Sequence, residues 1–559
     1  MVAVAVAGLA LLAGSVAPAT AQPAARHAPA SAADVVAAMQ PGWNLGNTLD
    51  ALGPDETAWG NPRVTRQLLD EIEDQGFRSV RIPVSWGQHQ GGAPGYAVDP
   101  VWMDRVEEVV DLALDEDLMV LLNIHHDSWT WANAMPAEHD AVVAQYDALW
   151  EQIAERFRDH PREVLFESIN EPQFAGVDDA TSYTLLDELN TRFHEIVRAS
   201  GGGNADRVLV LPTLHTNADQ GRLDALNATF DELADPNLAA TVHFYGYWPF
   251  SVNVAGGFRF DATARADADG TFQRVHDSFT ARGIPVILGE FGLLGFDRHT
   301  GTIEQGEKLK FFEYTGNLAR TTDVTTMLWD NGQHFDRTAF TWRDKELFAY
   351  LSTSWVRRSG TASSDLVFVD ADGAATARTV TLEPHGTSFR GVYEGPRALR
   401  AGRDYTRSGD TLTLSAALLG RLAGSGATGE RATLRVKYSS GLPWKLHVIR
   451  FGTPELGAAQ GTTDGFAIPT SFDGDRLATM EARYADDGTN AGPHNWTSYK
   501  EYDVAFTPDE ANGAIILRPA FFNEVADARP VRLTFHFWSG EKVSYTVTRE
   551  GTAVSGAAG

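Results

Sequence analysis

The sequence predicts a multidomain chain: a (β/α)8 barrel of the TIM type followed by two all-β domains of Ig-like or β-sandwich character. Three observations carry that prediction. Eight short apolar runs alternate with amphipathic helical patterns between Gly42 and about Trp355. Beyond Trp355 the helical periodicity stops, and short runs of alternating residues separated by turn signals such as Asp372-Gly373 take over. With 559 residues, the chain is also too long for a single hydrophobic core.

In chain order, Val2 to Ala13 is an apolar run followed by Ala19-Thr20-Ala21, the pattern of a secretory signal over residues 1–21 cleaved before Gln22, although no Lys or Arg precedes it. The run falls short of the roughly 20 residues a membrane span needs. The eight barrel runs are Gly42 to Asn47, Val80 to Val84, Leu118 to Ile124, Val164 to Ile169, Val208 to Leu211, Thr241 to Tyr245, Val286 to Glu290 and Met327 to Trp329. Segments such as Thr65 to Gln75, Trp102 to Asp115 and Ala141 to Arg158 repeat apolar residues at three and four, as helices between strands do. We place the barrel at 22–358, an Ig-like domain at 359–440, a second β-sandwich at 441–550 and a disordered tail at 551–559. Only short connections separate them, so the domains are expected to dock semi-rigidly.

Composition narrows the chemistry. There is no cysteine, which removes disulfides, thiol catalysis and Cys-ligated metals. A formal net charge of −28 repels nucleic acid and anionic membranes, so a neutral or cationic partner is expected. The 14 tryptophans suit a ring-shaped neutral ligand such as a sugar, and suit core packing equally well.

Two of the apolar runs end in a carboxylate: Leu165 to Ile169 runs into Asn170-Glu171-Pro172, and Val286-Ile287-Leu288 into Gly289-Glu290. In a barrel these ends face the active-site mouth, where Arg81, His125, His126, Asn170, His243, Tyr245 and Trp329 are expected to join them. No Ser-His-Asp pattern, phosphate loop or nucleotide fingerprint is present. Paired carboxyl groups suit glycoside hydrolysis, in which one stays protonated for the leaving oxygen and the other is ionised for attack. Arg81 near Glu290 would keep that group ionised, while burial and hydrogen bonds round Glu171 would raise its pKa.

The ordered set Trp43-Asn44-Leu45-Gly46-Asn47-Thr48, Arg81-Ile82-Pro83, His125, Asn170-Glu171-Pro172, His243-Phe244-Tyr245, Gly289-Glu290-Phe291-Gly292 and Trp329 resembles glycoside hydrolase family 5, in particular the endo-β-1,4-glucanase and xyloglucanase branch, subfamily 4. The resemblance implies Glu171 as acid/base and Glu290 as nucleophile of a retaining, secreted enzyme acting on β-glucans. It further implies Asn170 at the sugar 2-OH, Tyr245 against Glu290, Trp329 as the sugar platform, and Arg81, His125 and His243 as substrate-site residues; Asn47 and His126 are added to that set, with a buried, hydrogen-bonded histidine as the other reading of His126. Mannanase or xylanase action within the same family, and a non-catalytic polysaccharide-binding protein, are the alternatives. No cofactor, no metal and a monomer are expected. His125-His126-Asp127 is also a possible ligand set, disfavoured because neighbouring residues on a strand point to opposite faces.

Trp129, Trp131 and Trp248 follow strand ends and suit either outer sugar subsites or loop anchors. The second domain resembles the X2 module and the third a family 46 carbohydrate-binding module, the latter chiefly through its final hairpin, Val531 to Trp538 and Val543 to Val547. With linkers this short the third domain has one position relative to the barrel mouth. Trp538 is the substrate contact chosen from it, with Trp496 in reserve.

Overall fold

Alternation along the apolar runs decides how the barrel closes. The computed structural model describes residues 31–559, and the signal segment expected at 1–21 lies outside the described residues. Eight parallel strands form a closed barrel: β1 (Gly42–Asn44), β2 (Ser79–Ile82), β3 (Met119–Asn123), β4 (Val164–Glu167), β5 (Leu209–Pro212), β6 (Leu238–Phe244), β7 (Val286–Phe291) and β8 (Val324–Leu328). Along β3 and β5, Val120, Leu122, Leu209 and Leu211 point outward into the layer shared with the helices, while Leu121 and Val210 point inward.

The inward set meets Val35, Val36 and Met39 of the helix Ala32–Ala38, which closes the N-terminal end of the barrel. Ser79 and Thr325 donate to the carbonyls of Met39 and Val36, each at 2.7 Å, so that floor is sealed without orphaned hydroxyls. The charged inward residues, Arg81 and Glu167 among them, lie toward the opposite end. The outer helices form for local reasons that their sequences state: in Arg66–Asp74, Thr65 caps the N-terminus by accepting from the Leu68 amide, and Leu68, Leu69 and Ile72 form the buried face. Truncating Leu69 to alanine would cost about 2–5 kcal/mol.

The second domain is a sandwich of two sheets. One holds Thr361–Ala362, Arg378–Glu383, Thr411–Leu414 and Tyr405–Ser408; the other holds Leu366–Asp370, Trp444–Phe451, Gly429–Tyr438, Phe389–Glu394 and Arg397–Ala398. This corrects the expected boundary at 440: Trp444–Phe451 pairs with Gly429–Tyr438 and Leu366–Asp370, so the second domain runs to Phe451. Ser439 to Pro443 is a hairpin connection inside one sheet, where its Ser and Gly content reads like a linker. A helix, Ala416–Ala423, capped by Ser415, was not anticipated.

The third domain pairs Leu477–Tyr484, Val531–Phe537, Lys542–Glu550, Ala553–Ala558 and Ala459–Thr462 in one sheet, against a four-stranded sheet that includes Phe466–Ser471 and Ala514–Leu517. The disordered tail expected at 551–559 is therefore a further correction. Ala553–Ala558 lies between two partners, in register with Lys542–Glu550 and Ala459–Thr462. Small residues there signal disorder by composition, but backbone pairing on both sides orders them. Barrel and second domain share one continuous core, with Tyr350 edge-on to Trp444 and Arg358 paired to buried Glu313.

Candidate active site

The inward positions at the C-terminal ends of the strands converge on Arg81. Period-two alternation carries Leu121 to Asn123 and Leu165 to Glu167, and Arg81 follows outward-facing Val80 on β2. Arg81 is fully buried and spends its fork on Glu167 (Nε to Oε2 2.7 Å, Nη2 to Oε1 3.0 Å), Glu290 (Nη1 to Oε1 2.7 Å), Asn170 (Nη2 to Oδ1 2.7 Å) and Asn44 (Nη1 to Oδ1 3.1 Å). Burial works against its charge, yet the two glutamates raise its pKa further.

Glu290 also accepts from the Tyr245 hydroxyl at 2.6 Å through Oε2. Both of its oxygens thus face donors. Burial and the neighbouring charges of Glu290 and Asp297 push the Tyr245 phenol well above its ordinary value, so it remains a donor. Strict alternation from inward Ile287 would send Glu290 outward and Phe291 inward. Irregular register on both sides of β7, between Val242 and His243 and between Leu288 and Phe291, reverses this, and Phe291 joins the outer core. Gly289 is required at that point, since a Cβ there would lie 2.7 Å from Thr241 Oγ1.

Glu171 follows β4 with φ of 39°, a left-handed conformation that is costly for glutamate and turns its side chain back over the mouth. His243 Nδ1 lies 2.9 Å from Glu171 Oε1 and 3.6 Å from Glu290 Oε2, and the three groups offer atoms within 4.8 Å of one another. The expectation that Glu171 has a raised pKa is corrected here. Burial does push it up, but the hydrogen bond and charge of His243, with Arg81 and His126, outweigh burial and hold it below the ordinary glutamate value.

His125 and His126 do not diverge, contrary to the alternation argument, because β3 ends at Asn123 and both lie beyond it; their rings sit 4.5 Å apart. Asn123 Nδ2 meets His125 Nδ1 at 3.2 Å and Trp129 Nε1 donates to His126 Nδ1 at 3.0 Å. A neutral ring with an accepting Nδ1 carries its proton on Nε2, directed at Glu290 Oε1 (3.9 Å) for His125 and at Asp50 Oδ2 (3.4 Å) for His126. Asp50, His125 and His126 offer atoms within 4.8 Å of one another, with the Nδ1 atoms of both rings already engaged by Asn123 and Trp129. Burial pushes the His125 imidazole well below its usual pKa, consistent with a neutral ring.

Trp329 lies parallel to His125, with 6° between planes and 6.1 Å between centroids. A Cβ on Gly46 would come within 2.7 Å of the indole, and Asn47, next in the chain, has φ of 54° and its amide on Asp50. Asp297 accepts from Trp329 Nε1 at 3.3 Å. Crowding by protein and the charge of Glu290 push Asp297 up to about 6.

Every barrel residue expected at the mouth is found there. Missed by sequence reading were Asn44, Asn123, Glu167, Asp50 and Asp297; alternation from Leu165 was a sufficient signal for Glu167, while Asp297 lies on an irregular loop that carries none. Of the aromatic candidates, Trp129 is partly exposed beside His126, as is the unanticipated Trp59, whereas Trp131 donates to Asp127 at 2.7 Å and packs on the core as a loop anchor.

The third-domain choice needs correcting. Trp538 sits 4.5 Å from the Arg259 guanidinium, edge-on to Phe258, and against the Leu366, Phe368, Ile449 and Phe451 cluster of the second domain. It cements three domains, because the final hairpin points its turn at the junction. Trp496, the reserve, is 59% exposed and its ring lies 6.1 Å from that of Trp248 on the loop after β6.

Three family models match the chain: Cellulase (glycosyl hydrolase family 5) over residues 44–335, carbohydrate binding domain X2 over 361–448, and the CBM46 carbohydrate binding domain over 452–557. Endoglucanase B of Paenibacillus lautus is 50% identical over 534 residues, covering 95% of this chain and 94% of that protein. The full-length tri-modular endo-β-1,4-glucanase B from Bacillus halodurans superposes with a TM-score of 0.92 at 49% identity, covering 95% of this chain and 100% of that one. A tri-modular family 5 (subfamily 4) endo-β-1,4-glucanase from Bacillus licheniformis complexed with cellotetraose gives 0.79 at 30% identity, covering 94% and 99%. The chain thus belongs to glycosyl hydrolase family 5, with an X2 and a family 46 carbohydrate-binding domain following its catalytic barrel.

Proposed function

We propose that the protein is a secreted endo-β-1,4-glucanase that cleaves plant cell-wall β-glucans, cellulose, mixed-linkage glucan and xyloglucan among them, with retention of configuration. The observation that carries this reading is the approach of Glu171 and Glu290 oxygens to within 4.8 Å across the barrel mouth. Retaining enzymes set their carboxyl groups about 5–5.5 Å apart, whereas inverting ones need about 6.5–9.5 Å to admit a water. Export is supported by the apolar N-terminal run; among the described residues no helix is long and apolar enough to cross a membrane.

In this mechanism Glu290, its oxygens fixed by Arg81 and Tyr245, attacks the anomeric carbon as the glycosidic C–O bond breaks, and Glu171 gives its proton to the departing oxygen. Water then attacks the glycosyl ester, Glu171 takes its proton, and Glu290 leaves as carboxylate. The Glu171 side chain is 44% exposed in the unliganded cleft. A polymer strand laid over it displaces that water and strengthens the desolvation that opposes ionisation, moving Glu171 toward the protonated form that the first step needs. Trp248 and Trp496, from barrel and third domain, extend an aromatic wall for further sugar units.

Product analysis on carboxymethylcellulose, mixed-linkage glucan, xyloglucan, mannan and xylan tests the reading. Shortening of the glucans with a β-anomer appearing first by NMR is expected. An α-anomer appearing first would overturn retention, and preferred cleavage of mannan or xylan would overturn the substrate assignment.

A further inference from the structure

One carboxylate at the mouth has no part in double displacement. Asp297 ends the turn Leu294–Asp297 in the loop after β7, and its Oδ1 accepts from both Trp329 Nε1 (3.3 Å) and Asn331 Nδ2 (3.2 Å). His125 lies parallel to the Trp329 ring and Gly46 lies against its edge, so the indole N–H, the one polar atom of the ring, is the handle by which Asp297 holds it.

The loop that carries Asp297 is fastened to the third domain. Arg298, the next residue, pairs with Glu501, which is in turn hydrogen-bonded to His494 at 2.7 Å. Farther along, Asn253 donates to the carbonyls of Thr302 (3.2 Å) and Ala478 (2.9 Å), and its own carbonyl accepts from the Tyr502 amide at 3.2 Å. Asn253 thus ties the far end of the loop to the third domain at Ala478 through its side chain and at Tyr502 through its backbone.

We infer that Asp297 is a positioning residue for glycoside hydrolysis, holding the Trp329 platform in register with Glu171 and Glu290, and that the third domain holds Asp297 in place through Arg298 and Glu501. The inference rests on the glycosidase reading above. It gives the third domain a role at the bond being cleaved, separate from any contact it makes with distant sugars. The physical reason is the steep dependence of rate on placement: a sugar displaced by about 1 Å from the nucleophile loses about 10²-fold.

The test uses the full chain and 2,4-dinitrophenyl β-cellobioside, a substrate too short to need the outer subsites and with a leaving group that needs little acid help. Turnover by the wild type tests the glycosidase reading; the ratio of each variant to wild type tests this one. Asp297→Ala is expected to lower kcat about tenfold with KM changed less than about twofold, and Asp297→Asn, which keeps an acceptor oxygen, to restore kcat to within about threefold of wild type. Arg298→Ala and Glu501→Gln are each expected to lower kcat about threefold, again with little change in KM. Wild-type kcat in Asp297→Ala, or an Asn variant as impaired as the Ala variant, would overturn the positioning role. Wild-type kcat in both Arg298→Ala and Glu501→Gln would overturn the part assigned to the third domain.

Discussion

Five carboxylates, Glu167, Glu171, Glu290, Asp50 and Asp297, lie at the mouth of the barrel, three more meet where the barrel joins the second domain, and the two groups hold protons differently. At the mouth, Arg81 reaches Glu167 and Glu290 and His243 reaches Glu171, and Glu171 stays below its ordinary pKa despite burial. At the junction, Lys310 pairs with Glu307 at 2.7 Å, leaving Glu304 and Asp365 without a cation of their own. Burial together with the charges of Glu304 and Glu307 raises Asp365 well above the carboxylate range, and burial with the charge of Glu307 raises Glu304. Burial is common to both groups, so it does not decide ionisation; a charged partner in direct contact does. Asp297 supports this from within the catalytic group, since it stands outside the reach of Arg81's hydrogen bonds and is pushed up to about 6. One cluster sets a guanidinium against two of its carboxylates, and the other leaves two of its three without a cation.

The largest effects come from the catalytic pair. Glu290→Ala is expected to lose hydrolysis of polymer and of activated aryl cellobioside alike, by about 10⁴-fold or more. Glu171→Ala should lose polymer hydrolysis by about 10²–10⁴-fold yet still form its glycosyl-enzyme from an activated aryl glycoside, with azide accelerating turnover and giving a β-glycosyl azide. An α-glycosyl azide from Glu171→Ala would exchange the two roles and end the contrast drawn between Arg81's partner and His243's.

Arg81→Met converts the mouth into a cluster of the junction kind. Leaving Glu167 and Glu290 buried without their cation should cost about 3–5 kcal/mol of stability, read from urea unfolding, besides abolishing activity. A loss below about 1 kcal/mol would mean that the carboxylates accept protons freely there too, and contact with a cation would cease to be the deciding difference.

A smaller effect separates the clusters by pH. Because the folded pKa of Asp365 lies above the unfolded value of about 3.9, the native state binds the extra proton, and stability falls as pH rises from there through the folded pKa. The thermal midpoint should therefore decline as pH rises above the unfolded value of about 3.9, and Asp365→Asn, which cannot ionise, should flatten that decline. An unchanged slope in the variant would remove Asp365 as its source.

The smallest expected effects concern the two tryptophans of the third domain. Trp496→Ala should lower kcat/KM on polymeric β-glucan by about three- to tenfold, mostly through KM. Trp538→Ala should instead lower the thermal midpoint, since its ring packs on Arg259, Phe258 and the second domain. Reversed outcomes would restore Trp538 as the substrate contact.

Those two residues mark where sequence reading stops. The eight runs, their alternation and the polar groups at their ends are local properties, and they determined the barrel and its mouth, because a period of two leaves an apolar strand only one way to face a closed core. The same alternation already contained Glu167, two residues beyond Leu165. What tertiary structure alone decided depends on contacts between segments far apart in the chain. Irregular register against β6 and β8 turns Glu290 inward against its own alternation, and His243, 72 residues from Glu171, reverses the expected direction of its pKa. Pairing on both sides makes a strand of Ala553–Ala558, and the docking of three domains covers Trp538 while leaving Trp496 open. An indole near a turn has the same local sequence signal whether solvent or another domain lies against it; only the neighbour that arrives on folding distinguishes them.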